Sequence, residues 1–246
     1  MRALTPAFLF LLATAAPAAA DDTADLKKLL AAPVLTPRQT LAELQEYLDP
    51  KIPQLPEPKS AEEWAKETER LRNEVLKKVV FRGEAAKWKD AKTRVEYADS
   101  FAGEGYTVKK LRYEIIPGFW VPALLYVPDK LTSKAPVMLA VNGHDRGGKA
   151  AKYKQARCIN LARRGVIVLN AEWLGMGQLN IPADQHGALD QLNLCGTGGI
   201  ALFYLNMTRG LDLLLAQPNA DPGRVAVSGL SGGGWQTIFV SGSTPA

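Results

Sequence analysis

Two histidines and two cysteines are all that the 246 residues contain, and that scarcity narrows what the chain can do. A disulfide-stapled scaffold needs far more cysteine. Zinc sites of the C-x-x-C or H-E-x-x-H kind need ligands at fixed spacing, and neither pattern occurs, so no metal is expected. No G-x-G-x-x-G follows a strand pattern, so no dinucleotide site and no cofactor is expected either. Lys and Arg number 30 against 25 Asp and Glu, and the two signs are interleaved. No basic block tracks a phosphate backbone, which argues against a nucleic-acid partner. Beyond the N-terminus no apolar run approaches the ~20 residues that a membrane span requires. Internal repeats are lacking too. What remains is ordinary globular composition, 47% apolar and 22% charged, with enough apolar side chains for a sizeable core.

The first twenty residues are of a different kind. Arg2 gives a positive start, residues 7–16 form a short apolar stretch, Pro17 breaks it, and Ala18-Ala19-Ala20 supplies small residues before Asp21. This pattern predicts a secretory signal over residues 1–20, cleaved after Ala20, with no membrane span left afterwards. The expected location is secreted or periplasmic. Export would allow Cys158 and Cys195 to pair, but two buried thiols fit the sequence as well, and spacing does not choose between them. Oligomeric state is not readable.

Residues 21–100 read as a helical extension. Leu41, Leu44 and Leu48 recur at spacings of three and four. Pro50, Pro53, Pro56 and Pro58 mark an extended connector. Ser60 is placed as an N-cap with Glu63 as its capping-box partner, ahead of a helix whose Trp64, Leu71, Val75 and Val79 form one stripe. From residue 101 the period changes. Runs over 108–116 and 119–127 predict two strands joined at Pro117-Gly118. Short buried strands are predicted over 136–141, 166–170 and 224–228. Helices are predicted over 150–164, ending at Gly165, and over 199–217, with another from Gly232. Strands alternating with helices predict an α/β fold: a mostly parallel sheet with helices on both faces.

Chemistry concentrates in Val225-Ala-Val-Ser-Gly-Leu-Ser-Gly-Gly-Gly-Trp235. It contains a G-x-S-x-G between a predicted strand and a predicted helix, the setting in which a serine is lifted onto a strained turn as a nucleophile. Ser231 is therefore the candidate catalytic residue. Ser228 lies inside the strand without the glycine frame. The helix that follows aims its free N–H groups at the site, which makes the Gly232 amide one candidate oxyanion-hole donor. The loop Asn142-Gly-His-Asp-Arg-Gly-Gly148 follows the first core strand and is placed to supply the second, from the His144 amide, with Asp145 as the alternative. The base in this chemistry ordinarily arrives on a loop after the nucleophile, which argues against the His144 ring. Asp145, Glu172, Trp173, His186 and Trp235 are candidates for the rim of the site. For Glu172 a structural hydrogen-bonding role is the stronger reading. His186 reads as a surface residue of a polar loop, and the two tryptophans, although able to line a pocket, read more readily as core.

Four segments together, Trp120–Pro128, Asn142–Lys149, Glu172–Gly177 and Gly229–Trp235, resemble bacterial acetylxylan-esterase-related α/β-hydrolases, akin to dienelactone hydrolases and to serine peptidases of that fold. The resemblance runs from about Tyr106 onwards. It implies cofactor-free hydrolysis of small-molecule or polysaccharide esters, often acetyl esters, through an acyl-enzyme. It also implies a triad in the order Ser, acid, His, yet residues 232–246 contain no Asp, Glu or His. The expectation is an N-terminal part of a longer α/β-hydrolase, cut after its nucleophile turn, inactive and poorly folded alone. A prolyl-oligopeptidase-type peptidase and a non-catalytic binding protein on the same fold stay open as alternatives.

Overall fold

A computed structural model describes residues 22–182 and 186–244. The expected signal segment lies outside them. Contacts divide the chain into two compact units, with the division between Glu57 and Pro58. The first unit holds α1 (Asp22–Ala31) and α2 (Gln39–Leu48). No helix among the described residues is long and apolar enough to cross a membrane.

The second unit opens with α3 (Ala61–Val75). Ser60 caps it, its hydroxyl accepting the Glu63 N–H at 3.1 Å. The reciprocal half of the expected capping box is shifted by one residue, because the Glu63 carboxylate takes the Lys59 N–H instead, at 2.7 Å. The apolar stripe is also displaced. Residues 76–80 form a π turn, closed by the Phe81 N–H on the Leu76 carbonyl. A π turn inserts one extra residue, so Val80 rather than Val79 points inward, and Trp64, Val75 and Val79 stay exposed.

After the short α4 (Ala85–Trp88) the chain does not continue as helix to residue 100. Val95–Gly103 is a strand, β1. Its pairing with a distant segment, not its own periodicity, makes it one. β2 (Tyr106–Ile116) and β3 (Phe119–Pro128) follow as the expected hairpin, turning at Gly118, whose φ of 86° suits glycine. Then come β4 (Ala135–Ala140), α5 (Lys152–Ala162), β5 (Ile167–Ala171), α6 (His186–Leu194), α7 (Ile200–Leu215), β6 (Ala220–Ser228) and α8 (Gly232–Ser243).

The six strands order as β1-β2-β3-β5-β4-β6. β1, β2, β3 and β5 pair antiparallel in turn, and β5, β4 and β6 run parallel. The sheet is therefore mixed, and the expected parallel character holds for its β5–β4–β6 half. One face packs on α7: Leu205, Met207 and Leu214 meet Tyr113, Leu125, Leu139 and Leu169. The opposite face packs on α5: Cys158 and Ala162 meet Val108, Tyr126, Ala140 and Val168. Helices on both faces are thus present. β6 departs from the prediction of a buried strand. It is an edge strand, and Arg224, Val225 and Ala226 are exposed. Burial depends on sheet order, and no local pattern reports that. Cys158 is buried, Cys195 is exposed, and both are free thiols; burial pushes the Cys158 thiol up to about 11.

Glu114 pins the β2–β3 turn. Arg94 donates to it twice, at 2.7 and 2.6 Å, and the Gly118 N–H a third time at 2.6 Å. The Arg94 guanidinium first, and then the Gly118 N–H, hold the carboxyl down at about 2. A depressed carboxyl favours the folded state fully above pH 4.5 and loses that contribution as pH falls towards 2. Glu114→Gln is expected to lower the thermal midpoint at neutral pH and to flatten its decline across that acid window. Thermal melts of both proteins over the window check this; parallel curves would count against it.

Candidate active site

The carboxyl ends of β4, β5 and β6 lie side by side, the place where ligands bind in open α/β sheets. Each is followed by one segment singled out from the sequence. After β6 the chain turns through Gly229, Leu230 and Ser231 into α8. Ser231 has φ 58° and ψ −121°, a torsion pair of the kind glycine favours at the first corner of a type II′ turn. Among the described residues only Arg38 is another non-glycine residue with positive φ. The turn is closed by the Gly233 N–H on the Leu230 carbonyl at 2.9 Å, and the Trp235 N–H bonds the Ser231 carbonyl at 3.0 Å. The Ser231 side chain makes no capping hydrogen bond and is exposed.

The glycines beside it are needed for space. A Cβ on Gly232 would stand 1.9 Å from the Trp173 indole. A Cβ on Gly143 would stand 2.8 Å from the Leu230 carbonyl oxygen and 3.0 Å from the Gly232 nitrogen. So the β4 loop and the β5 loop both lie directly against the corner.

Buried amides stitch these three strand ends together. Asn142 donates to Asn170 Oδ1 and to the Ala171 carbonyl, both at 2.6 Å. Asn170 donates to the Lys149 carbonyl at 3.0 Å, Asn206 to the Glu172 carbonyl at 3.0 Å, and Gln236 to the Asn142 carbonyl at 2.5 Å. A satisfied polar network of this kind fixes geometry that apolar packing alone leaves loose. Sequence reasoning missed it. The available signal was amide residues at the ends of apolar runs.

Glu172 is buried beneath the site. Its carboxylate receives the Lys149 N–H at 2.6 Å, the Lys149 ammonium at 2.8 Å and the Gln178 N–H at 3.3 Å. Both members of the ion pair are enclosed. It therefore holds the β4 loop to the β5 loop and does not line the Ser231 cavity. Asp145 accepts the Gly147 N–H at 2.8 Å; that bond, followed by the Tyr153 hydroxyl, lowers its carboxyl pKa.

Two cavities flank the corner. The smaller, about 100 Å³, is lined by Ser231, His144, Tyr153, Lys154 and Arg157 among others. Lys154 is buried, and burial lowers its ammonium pKa. Its Nζ lies 3.4 Å from the Gly143 carbonyl oxygen. Carbonyl and N–H of a trans peptide point opposite ways, so this bond turns the His144 N–H to the other side of the loop. The larger cavity, about 480 Å³, is lined by His144, Trp173, His186, Ile200, Phe203, Gly232 and Trp235 together with α6 side chains. His186 is the first residue of α6 and belongs to an aromatic cluster, its ring centroid 5.0 Å from both His144 and Trp173 and 5.2 Å from Phe203. Its Nε2 pairs with the Leu174 carbonyl at 3.1 Å. His144, Trp173, His186 and Trp235 thus come together around the corner. Among the described residues no group of three or more His, Cys, Asp or Glu side chains converges as metal ligands would.

No protein-family profile and no curated protein sequence matches the chain. Solved structures do. A Bacteroides fragilis protein assigned provisionally as an acetyl xylan esterase superposes with a TM-score of 0.67 at 16% identity, over 87% of this chain and 60% of its own. The methylesterase BT1017 gives 0.59 at 22% identity, over 81% and 42%. An acetyl xylan esterase from Paenibacillus sp. R4 gives 0.50 at 18% identity, over 82% and 59%. The chain spans 60% or less of each of these proteins. At such identities the likeness is one of fold. The chain has the fold of these esterases over most of its length.

Proposed function

We propose that the protein is a serine-dependent ester hydrolase that works through an acyl-enzyme, on carbohydrate esters such as acetylated xylan. One observation carries the reading. Ser231 occupies a glycine-type torsion at a strand-to-helix corner, with its hydroxyl exposed and unbonded. Strain of that sort costs about 1–3 kcal/mol and persists where surrounding structure imposes it. In this reading Ser231 attacks the ester carbonyl, and the tetrahedral oxyanion lies between the Gly232 and His144 amides. Water then releases the acid. The carbohydrate ester rests on the esterases that share the fold, and a secreted or periplasmic location rests on the N-terminal segment.

A serine at its free pKa is a poor nucleophile and needs a base held by a third group. Among the described residues neither histidine is paired with a carboxylate. His186 bonds a backbone carbonyl, and the His144 ring stands edge-on to Trp173 at 4.4 Å. The 246-residue polypeptide is therefore expected to hydrolyse 4-nitrophenyl acetate no faster than its Ser231→Ala variant under multiple turnover. Ser231-dependent turnover by this polypeptide would overturn that point.

Covalent capture tests the assignment itself. Labelling the protein, purified as its source cells make it, with a fluorophosphonate should give one adduct, on the peptide that contains Ser231. An adduct elsewhere, or none, would sink the serine mechanism. Release of acetate from acetylated xylan, against cleavage of a proline-containing peptide, separates esterase from peptidase.

A further inference from the structure

The 480 Å³ cavity beside Gly232 is much larger than an acetyl group needs. Cavities of ~300–1,000 Å³ enclose whole drug-sized ligands, and a methyl group here would leave most of the wall untouched. That wall is aromatic on several sides. His144, Trp173, His186, Phe203 and Trp235 stand with neighbouring ring centroids 4.4–6.1 Å apart and interplanar angles of 54–86°. Rings in mutual contact like this form one continuous aromatic wall, and a further ring packs on such a wall by the same edge-to-face preference.

Among the described residues the polar side chains of the wall are Asp190, Asn193 and the two histidines, and the Asp190 carboxylate can accept from one hydroxyl of a ligand. The Asn193 side-chain oxygen already accepts the Gly199 N–H at 3.2 Å, and His186 Nε2 is held by the Leu174 carbonyl. A pyranose placed here would bury hydroxyls without partners, at a cost of roughly 1–3 kcal/mol each by mutational measures. A hydroxycinnamoyl group has a planar apolar body and a single phenolic hydroxyl, for which Asp190 supplies an acceptor.

We infer that this cavity is a subsite for an aromatic acyl group of the hydroxycinnamoyl type, next to the candidate oxyanion donor Gly232. The inference rests on the Ser231 reading only for the word acyl; the aromatic subsite stands on its own geometry. With Ser231 as nucleophile, the aromatic acyl group passes to the serine oxygen as the bond from acyl carbon to sugar oxygen breaks, the sugar leaves as an alcohol with the proton the serine gave up, and water then cleaves the acyl-serine to free the acid and restore the hydroxyl.

Isothermal titration calorimetry on the protein in the form its source cells make, carrying Ser231→Ala so that no ester is turned over, tests the subsite by binding alone. Methyl 4-hydroxycinnamate is expected to bind saturably, at least ten-fold tighter than methyl acetate or xylobiose. Phe203→Ala, which removes one wall, and Ile200→Trp, which fills the cavity, should each weaken it at least ten-fold, with folding checked by circular dichroism. Equal binding of the three ligands, tighter binding of xylobiose, or unchanged binding in correctly folded variants would overturn the inference. Should neither variant fold, the ranking of the three ligands still decides. Binding of the cinnamate, with a parent protein that fluorophosphonate fails to label at Ser231, would keep the subsite and remove the ester chemistry, so the two failures are distinct.

Discussion

Ser231→Gly is expected to do two opposite things at once. In the protein as its source cells make it, the change should abolish fluorophosphonate labelling and lower ester turnover by as much as about 10⁶-fold, the order of loss seen when a nucleophile acting within a triad is removed. It should also make the protein harder to unfold. The φ of 58° at this corner costs a serine about 1–3 kcal/mol, and glycine adopts it freely. Part of the gain is offset by the greater entropy of glycine in the unfolded chain, about 0.5–1 kcal/mol. A net stabilisation of about 1 kcal/mol follows. Urea unfolding of the two proteins reads it directly. Ser231→Ala separates the terms, since it deletes the hydroxyl and keeps the strained torsion: labelling should vanish while stability stays close to the parent. A glycine variant less stable than the alanine variant would mean that the corner is not strained, and the main support for the nucleophile would go.

Lys149→Met should give the largest loss of stability. The Lys149–Glu172 pair is enclosed, with side-chain exposures of 8% and 1%. Removing one partner of a buried pair leaves an uncompensated charge and costs about 3–5 kcal/mol. Domains are commonly stable by only ~5–15 kcal/mol, so the variant should unfold at a far lower urea midpoint. Its damage should also reach the site, because Glu172 holds the loop that carries Trp173 against Gly232. The double variant Lys149→Met/Glu172→Leu should recover much of the loss, as apolar replacements of buried pairs often do. A single variant within 1 kcal/mol of the parent, on the order of an exposed ion pair, would show that water reaches this pair.

The features visible in the sequence were those written locally. Gly229, Gly232 and Gly233 around Ser231, the Pro117-Gly118 turn and Gly165 after α5 each encode backbone geometry in adjacent residues. Features that depend on distant partners were not visible. β1 is a strand because β2 pairs with it, and its own sequence reads no differently from the helical stretch before it. The π turn at residues 76–80 moves burial from Val79 to Val80, a shift that a period of 3.6 does not contain. The exposure of β6 follows from its place at the sheet edge. His186 looked like a loop residue because nothing near it in sequence indicates Trp173 or His144. Lys154 sits in a helix among other lysines, and only the fold brings it to the Gly143 carbonyl. The rim candidates therefore divide by physical cause. Trp173 and Trp235 line the larger cavity, whereas Glu172 lies beneath the loops as a brace.

The outward turn of residue 231 is set by main-chain torsion and by crowding from its neighbours, not by any bond to the side-chain oxygen. The scaffold is thus indifferent to which atom it presents. A cysteine at 231 would meet the same torsion and the same open space, since the side chain there is exposed. A lineage built on this corner has a short route between alcohol and thiol chemistry without redrawing its architecture.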